Sequence, residues 1–334
     1  MMFQRILLTR MKFIGDVVLT TPIIHTLRDA FPQSHIAYLG DSQAVSLLEN
    51  NPYLDKIIPF DFSNTSFLYQ AKMFWKMISG KYDLTIDLFS NPRSALLTFA
   101  TGAKVRIGGN ARGRRKLYTV RVTDDGKTKT AIEYHYQSLK AIGVEPRYID
   151  TKIFLREEEK SGARQHLLSL GIETSSKIVS MHPGGTWPAK LWGKDKFIAL
   201  INKLSADNVK VVLTGGKFDQ EIVNDIVSQT NAVYVGNLSL RNVSAAMSLA
   251  NVVVSNDCGI MHMAVAVNTP TIGIFGPGQD KIWFPYSLPH IALRKHVPCN
   301  PCHLNVCNRT GYGFMECMNL LTVDEVYRHI MERV

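Results

Sequence analysis

The chain has 334 residues, 46% of them hydrophobic and 20% charged, a soluble globular composition with length for two domains that each bury their own core. Its first residues carry Arg5, Arg10 and Lys12 around the short run Ile6-Leu7-Leu8, which excludes a signal-peptide apolar region. No uninterrupted apolar stretch is long enough to span a bilayer, so a cytoplasmic protein is expected. The net charge of +10 points to an anionic partner, whether nucleic acid, a phosphorylated substrate or the acidic inner leaflet of a membrane. The positive charge is concentrated: Lys104, Arg106, Arg112, Arg114, Arg115, Lys116 and Arg121 follow one another without an acidic residue, as in a binding surface.

In chain order, residues 4–9 read as a strand, and Gly15-Asp16 opens a helix that carries Val17, Val18, Leu19, Ile23, Ile24 and Leu27 at helical spacing. Pro22 sits in its early turns. A strand over 35–39 and a helix over 44–48 follow. A further strand over 82–88 leads through Ser90-Asn91-Pro92 into a helix from Arg93 to Thr101. The alternation restarts after Arg156 with a charged amphipathic helix over 157–170, a strand over 178–181, a helix over 195–204 and a strand over 209–213 that ends in Thr214-Gly215-Gly216. Then come a helix over 219–228, a short strand over 233–235, a helix over 240–249 and a strand at Val252-Val253-Val254. A helix over 322–334, capped by Thr322, closes the chain.

Two successive β/α series predict an α/β protein of two doubly wound domains with a cleft between them. The expected division is residues 1–165, residues 166–320, and a C-terminal helix over 321–334 that packs back on the N-terminal domain. The pivotal stretch is Ser255-Asn256-Asp257-Cys258-Gly259-Ile260-Met261-His262, where a β-branched strand turns through Asp-Cys-Gly into a helix. Such a loop aims backbone N–H groups and a helix dipole at one point, which favours phosphate. The run Thr271-Ile272-Gly273-Ile274-Phe275-Gly276-Pro277-Gly278 repeats the form beside it.

Three segments, in order, carry a resemblance that spans nearly the whole chain. Residues 10–22, Arg-Met-Lys-Phe-Ile-Gly-Asp-Val-Val-Leu-Thr-Thr-Pro, resemble the opening signature of the bacterial heptosyltransferases, which add heptose to lipopolysaccharide core. Residues 181–192, Met-His-Pro-Gly-Gly-Thr-Trp-Pro-Ala-Lys-Leu-Trp, resemble that family's donor-phosphate segment, and residues 256–262 with Phe275-Gly276-Pro277 resemble its C-terminal donor loops. The resemblance implies the GT-B fold of two facing Rossmann-like domains. It also implies inverting, metal-independent transfer from a nucleotide sugar, most often ADP-L-glycero-D-manno-heptose, to a lipid A-core type anionic acceptor (Kdo or heptose). The acceptor then belongs to the N-terminal domain, the donor to the C-terminal one, and the protein to the cytoplasmic face of the inner membrane.

Residue by residue, Asp16 matches the family's general base, Lys190 its diphosphate-binding lysine, and Asp257, Gly259 and His262 its Asp-x-Gly-x-x-His donor loop. The middle position of that loop is commonly Thr or Ser. Here it is Cys258, a much weaker donor, so a side-chain contact from it to phosphate is in doubt while backbone N–H contacts survive.

The chemistry asks for a base at the acceptor hydroxyl and for positive charge or N–H dipoles at the departing diphosphate. Thr186, Lys190 and the Asp257–Gly259 turn are the candidates for the diphosphate. Gly215 and Gly216 end a strand on the donor side, where Glu221 is placed to accept a ribose hydroxyl. Arg93 and the block Arg112, Arg114, Arg115 and Lys116 are the candidates for acceptor carboxylates and phosphates, or for anionic lipid. Cys299, Cys302, Cys307 and Cys317, spaced C-x2-C-x4-C-x9-C, suit a structural Zn or Fe site in a protein that needs no cofactor for catalysis.

Three alternatives differ in kind. A sugar-nucleotide epimerase shares the fold and turns over donor without acceptor. A dehydrogenase requires a G-x-G-x-x-G turn after the first strand, where this chain has Lys-Phe-Ile-Gly-Asp. A nucleic-acid-binding module requires aromatics interleaved with the basic block, and these are few, so no nucleic acid is expected.

Overall fold

The structure is a computed structural model that describes residues 3–173 and 175–334. It divides into two compact units, the first ending at Phe154 and the second beginning at Leu155. The expected boundary near residue 165 thus moves upstream, because the helix from Glu157 belongs to the second unit. There Arg241 and Glu159 pair at 2.5 Å and hold that helix to its own sheet layer.

The first unit begins with β1 (Arg5–Thr9), α1 (Ile14–Val18), α2 (Thr21–Ala30), β2 (His35–Asp41), α3 (Ser42–Val45) and β3 (Lys56–Phe60). It continues with α4 (Phe67–Ser79), β4 (Leu84–Asp87), α5 (Pro92–Ala100), β5 (Val105–Gly109), β6 (Val120–Val122) and α6 (Ala131–Lys140). Its six strands are all parallel, in the order β3-β2-β1-β4-β5-β6. β1 is central and covered on both faces, which is why Ile6, Leu7 and Leu8 run without alternation and are all fully buried. Each such side chain contributes roughly 1.5–3 kcal/mol on leaving water.

The single helix expected from Gly15 to Leu27 is two. Pro22 has no N–H to offer the Val18 carbonyl, and the Thr21 hydroxyl donates to that carbonyl instead, at 2.8 Å. The Thr20 hydroxyl likewise donates to the Val17 carbonyl at 2.7 Å. The break leaves α1 as a short separate turn after the strand that the sheet is built around.

The second unit starts with α7 (Glu157–Ser169), β7 (Ile178–His182), α8 (Lys194–Ala206), β8 (Lys210–Leu213), α9 (Gln220–Val227), β9 (Val233–Tyr234) and α10 (Leu240–Met247). β10 (Val252–Asn256), α11 (Gly259–Ala266), β11 (Thr271–Phe275), α12 (Asp280–Trp283), β12 (Ile291–Arg294), α13 (Glu316–Asn319) and α14 (Val323–Met331) follow. Its parallel order, β12-β11-β10-β7-β8-β9, repeats that of the first unit strand for strand, so both are doubly wound sheets of the Rossmann type.

The C-terminal helix packs within the second unit. Val326 and Ile330 of α14 share one buried cluster with Leu200 and Leu204 of α8, and Lys203 pairs with Asp324 at 2.6 Å. Trp192, buried in the same cluster, donates its indole N–H to the Leu321 carbonyl at 3.0 Å just before α14. The strong apolar stripe of α14 therefore closes the second unit's own core.

Candidate functional site

In each sheet the strand order reverses beside the central strand, and in such sheets ligands bind at the carboxyl ends of the strands that flank the reversal. In the first unit those are β1 and β4. The chain leaving β1 carries Arg10, and the Arg10 guanidinium pairs with the Asp16 carboxylate on α1. The second Asp16 oxygen accepts the backbone N–H of Phe13 at 3.1 Å, so the capping role open to any Asp at a helix start is filled as well. Each carboxylate oxygen keeps a further lone pair, and the side chain is 13% exposed. Arg10 also donates to the Leu88 carbonyl at 3.3 Å and lies 4.7 Å over the Phe89 ring, which ties the β1 loop to the β4 loop. Behind them His135 of α6 is buried. Burial, and then the Arg10 charge, push its imidazole down to about 3 against the opposing pull of Asp16, so it is neutral.

The β4 loop is held by a buried carboxylate. Asp87 accepts from Tyr118 Oη at 2.6 Å, Ser94 Oγ at 2.7 Å, and the backbone N–H groups of Ser90 and Phe89 at 2.8 and 3.0 Å. Burial pushes its pKa up despite these donors. This knot orients the start of α5, where Arg93 lies 5.7 and 5.5 Å over the Phe60 and Phe62 rings, while Lys12 lies 4.5 Å over Phe62. Arg10, Lys12 and Arg93 thus form a cationic set at one edge of the sheet. Within the basic block, Arg114 donates its Nε–H to the Ser90 carbonyl and is part of the scaffold. Arg112, Arg115 and Lys116 are exposed.

In the second unit the reversal lies between β7 and β10. Asn256, fully buried at the end of β10, donates to the Pro183 and Gly184 carbonyls at 2.8 and 3.0 Å and accepts from the Trp192 N–H at 3.2 Å. One amide therefore fixes the loop after β7 against the loop after β10. The Lys190 ammonium stands 2.7 Å from Asp257 Oδ2 and 4.7 Å over the Trp187 ring. Asp257 is 5% exposed in its side chain; burial raises its pKa and Lys190 draws it back. At 2.7 Å the ammonium and the carboxylate form a close ion pair. Gly278 closes on the pair: a Cβ there would lie 2.4 Å from Asp257 Oδ2, so no side chain fits without displacing the carboxylate. Thr186 is exposed on the same β7 loop.

The other donor-side candidates separate. Asp219 Oδ2 accepts the Gly216 N–H at 2.8 Å, and a Cβ on Gly184 would meet Asp219 Oδ1 at 2.1 Å, so Gly184, Gly215 and Gly216 wrap a carboxylate that the motif reading passed over. Glu221 is exposed in the first turn of α9. His262, on α11 behind Gly259, points its Nδ1 at the Tyr286 hydroxyl at 2.7 Å. Cys258, just before α11, has Ser255 Oγ 3.4 Å from its sulfur. Burial opposes charge on both Cys258 and His182, yet each favours the charged form of the other, so the thiol falls and the imidazole rises from their ordinary values. His182 Nδ1 also lies 3.1 Å from the Thr214 carbonyl.

Cys299, Cys302, Cys307 and Cys317 are free thiols. Burial, and then the charge of Cys299, with smaller parts from Cys302 and Cys307, push the Cys317 thiol up. Among the described residues, no three His, Cys, Asp or Glu side chains are placed to hold a metal ion as they stand.

Comparison with known proteins agrees with this architecture. A family model described as glycosyltransferase family 9 (heptosyltransferase) matches residues 71–312. The chain is similar to lipopolysaccharide heptosyltransferase 3 of Escherichia coli, 28% identical over 292 residues, which is 83% of this chain and 85% of that one. A family 9 glycosyl transferase from Veillonella parvula DSM 2008 shares the fold at a TM-score of 0.87 and 24% identity, over 99% of this chain and 98% of that one. So does the E. coli heptosyltransferase WaaC solved with ADP-2-deoxy-2-fluoro heptose, at a TM-score of 0.74 and 19% identity, over 99% and 100%. With its family model matched across well over half of its length, the chain belongs to glycosyltransferase family 9, the heptosyltransferases.

Proposed function

We propose that the enzyme moves heptose from ADP-heptose to a Kdo or heptose residue of a lipopolysaccharide core, with inversion and without a catalytic metal, as a peripheral protein at the cytoplasmic face of the inner membrane. The observation that carries the reading is the Lys190–Asp257 pair at the carboxyl ends of β7 and β10, an ammonium paired with a carboxylate beside backbone N–H groups at a helix start. WaaC, which shares the fold, was solved with an ADP-sugar analogue.

In this scheme the acceptor hydroxyl oxygen attacks the anomeric carbon, the bond from that carbon to the diphosphate breaks, and ADP leaves with the electron pair. Asp16 takes the hydroxyl proton as the new bond forms. Lys190, Thr186 and the backbone of Asp257, Cys258 and Gly259 meet the growing charge on the leaving group. Asp257 itself is anionic beside phosphate, so its part is to hold Lys190 and the loop. Gly215, Gly216 and Glu221 take the nucleoside side, with Glu221 on a ribose hydroxyl. Arg93, with Arg112, Arg115 and Lys116, takes acceptor carboxylates and phosphates, and Arg114 supports them through Ser90. Because Cys299, Cys302, Cys307 and Cys317 offer a soft all-sulfur donor set at C-x2-C-x4-C-x9-C spacing, a structural Zn or Fe there also belongs to the proposal, with no part in the chemistry.

The deciding experiment is mass spectrometry of products from purified protein given ADP-heptose and a panel of truncated core acceptors. A heptosylated acceptor plus ADP is the expected outcome. Donor turnover without acceptor would replace the proposal by an epimerase. Salt-sensitive nucleic-acid binding without affinity for ADP-heptose would replace it by a non-enzymatic anion binder.

A further inference from the structure

Helix α4 has apolar residues on two sides. Met73 and Met77 face inward and pack in the first unit's core with Leu97 of α5. At 100° per residue, Phe67, Leu68, Phe74, Trp75 and Ile78 fall together on a different side, and there Phe67 is 82% exposed, Leu68 80%, Trp75 69% and Ile78 51%. α5 packs beside α4 and presents Leu96 and Phe99, 47% and 51% exposed. A solvent-facing helix side ordinarily carries charged and polar residues, and a contiguous apolar face of this size marks an interaction site.

Its surroundings are of one sign. No Asp or Glu occurs from Ser63 to Tyr82 or from Leu88 to Thr123, whereas Lys72, Lys76, Lys81, Lys104 and Arg106 do. Burial, and then the charges of Lys56 and Lys72, push the Lys76 ammonium below its ordinary pKa, so like charges act on it from both. The Arg106 guanidinium lies 5.4 Å over the Phe99 ring, at the edge of the apolar face. Aromatic and aliphatic side chains ringed by lysine and arginine are the composition that lies in a headgroup layer, the rings at the acyl boundary and the cations on lipid phosphates.

We propose that the exposed face of α4 and α5 is a membrane-docking surface, which seats the first unit on a bilayer of anionic phospholipid through Phe67, Leu68, Trp75, Ile78, Leu96 and Phe99 with Lys72 and Lys76 on its headgroups. The proposal deepens the peripheral-membrane part of the function proposed above and rests on it for its purpose, bringing the enzyme to a lipid-linked acceptor. Charge favours lipid over a second copy of the chain. A two-fold contact would bring Lys72 and Lys76 against their own counterparts with no carboxylate on these helices to neutralise them, whereas anionic headgroups do so directly.

The test is co-sedimentation of the full-length protein with vesicles of phosphatidylcholine, with and without phosphatidylglycerol. The wild type binds the anionic vesicles, weakly or not at all the neutral ones, and less at high salt. A Lys72→Gln, Lys76→Gln variant loses roughly fivefold per lysine in vesicle affinity, and a Phe67→Ser, Trp75→Ser variant loses binding even at low salt. Both keep the wild-type melting temperature and the wild-type rate on a soluble truncated acceptor, since none of the four residues belongs to the site. Unaltered vesicle binding in both variants, or no wild-type binding to anionic vesicles, overturns the proposal. So does a wild-type dimer that the apolar variant converts to a monomer. Failure of the heptosyl-transfer reading registers separately, as absence of product from the soluble acceptor.

Discussion

Replacing Asp16 by Asn separates chemistry from architecture at one position. The side chain has two structural contacts, the ion pair with Arg10 and the Phe13 N–H at 3.1 Å. Asn keeps an oxygen for Phe13 and loses the charge that Arg10 faces. Arg10 is not stranded, because the Leu88 carbonyl at 3.3 Å and the Phe89 ring at 4.7 Å remain. Breaking a fully buried pair costs about 3–5 kcal/mol; with both side chains 13% exposed and Arg10 still partnered, roughly 1–2 kcal/mol is expected here. In a unit of about 150 residues that lowers the melting temperature by roughly 2–8 °C. Loss of a general base costs roughly a hundredfold to ten-thousandfold in kcat, about 3–5 kcal/mol of barrier. The assay is initial rates at saturating donor and acceptor, with ADP affinity by calorimetry and melting by scanning fluorimetry. A general base also leaves a falling acidic limb in the wild-type kcat profile, which the variant lacks. A variant that melts a few degrees low, binds ADP normally and retains kcat within about threefold of the wild type would refute the base role and leave Asp16 a cap with an arginine partner.

Other changes test other parts of the site. Lys190→Ala removes the ammonium 2.7 Å from Asp257, and ADP affinity and kcat should fall together by roughly 10- to 100-fold; unchanged ADP affinity by calorimetry would end its diphosphate role. Arg93→Ala should raise the acceptor KM about tenfold while the donor Kd stays put, and a fall in donor affinity instead would show that the first unit is not the acceptor side. His135 is held neutral by burial, with its imidazole pushed down to about 3. The unfolded chain takes up that proton near pH 6.5, so stability is full above that pH and falls as pH drops toward 3, by about 2 kcal/mol at pH 5. His135→Gln should flatten this loss in denaturant melts at pH 7.5 and 5, and an equal acid loss in the variant would place the sensitivity elsewhere. Metal analysis of protein purified without chelators should find stoichiometric Zn or Fe on the cysteine cluster, and sub-stoichiometric amounts of both would remove the metal.

Local sequence determined the alternation of elements and the places where loops meet ligands. Unbroken β-branched and aliphatic runs such as Ile6-Leu7-Leu8 and Val252-Val253-Val254 signal strands covered on both faces, and glycine with Asp after each such run marks a turn into a helix; both are short-range patterns. Asp16, Lys190 and Asp257 were visible for that reason, since each lies within a contiguous motif. What the sequence left open depends on distance along the chain. Asp87 and Tyr118 are 31 positions apart and meet only because β4 and the segment before β6 lie at one end of the same sheet. Asn256 reaches the loop after β7 across 73 residues, and Lys190 finds Asp257 across the same reversal of strand order. Cys258 reads in sequence as a weakened phosphate contact, and only the fold sets His182 against it. The break between α1 and α2 falls at Pro22, where the Thr21 hydroxyl takes over the Val18 carbonyl, an exchange that helical spacing does not register. The destination of α14 was beyond reach from sequence, because an amphipathic stripe says that a face will be buried but not against which partner. Tertiary packing supplied that answer in the core around Leu200 and Trp192, where the complementary apolar surface stood.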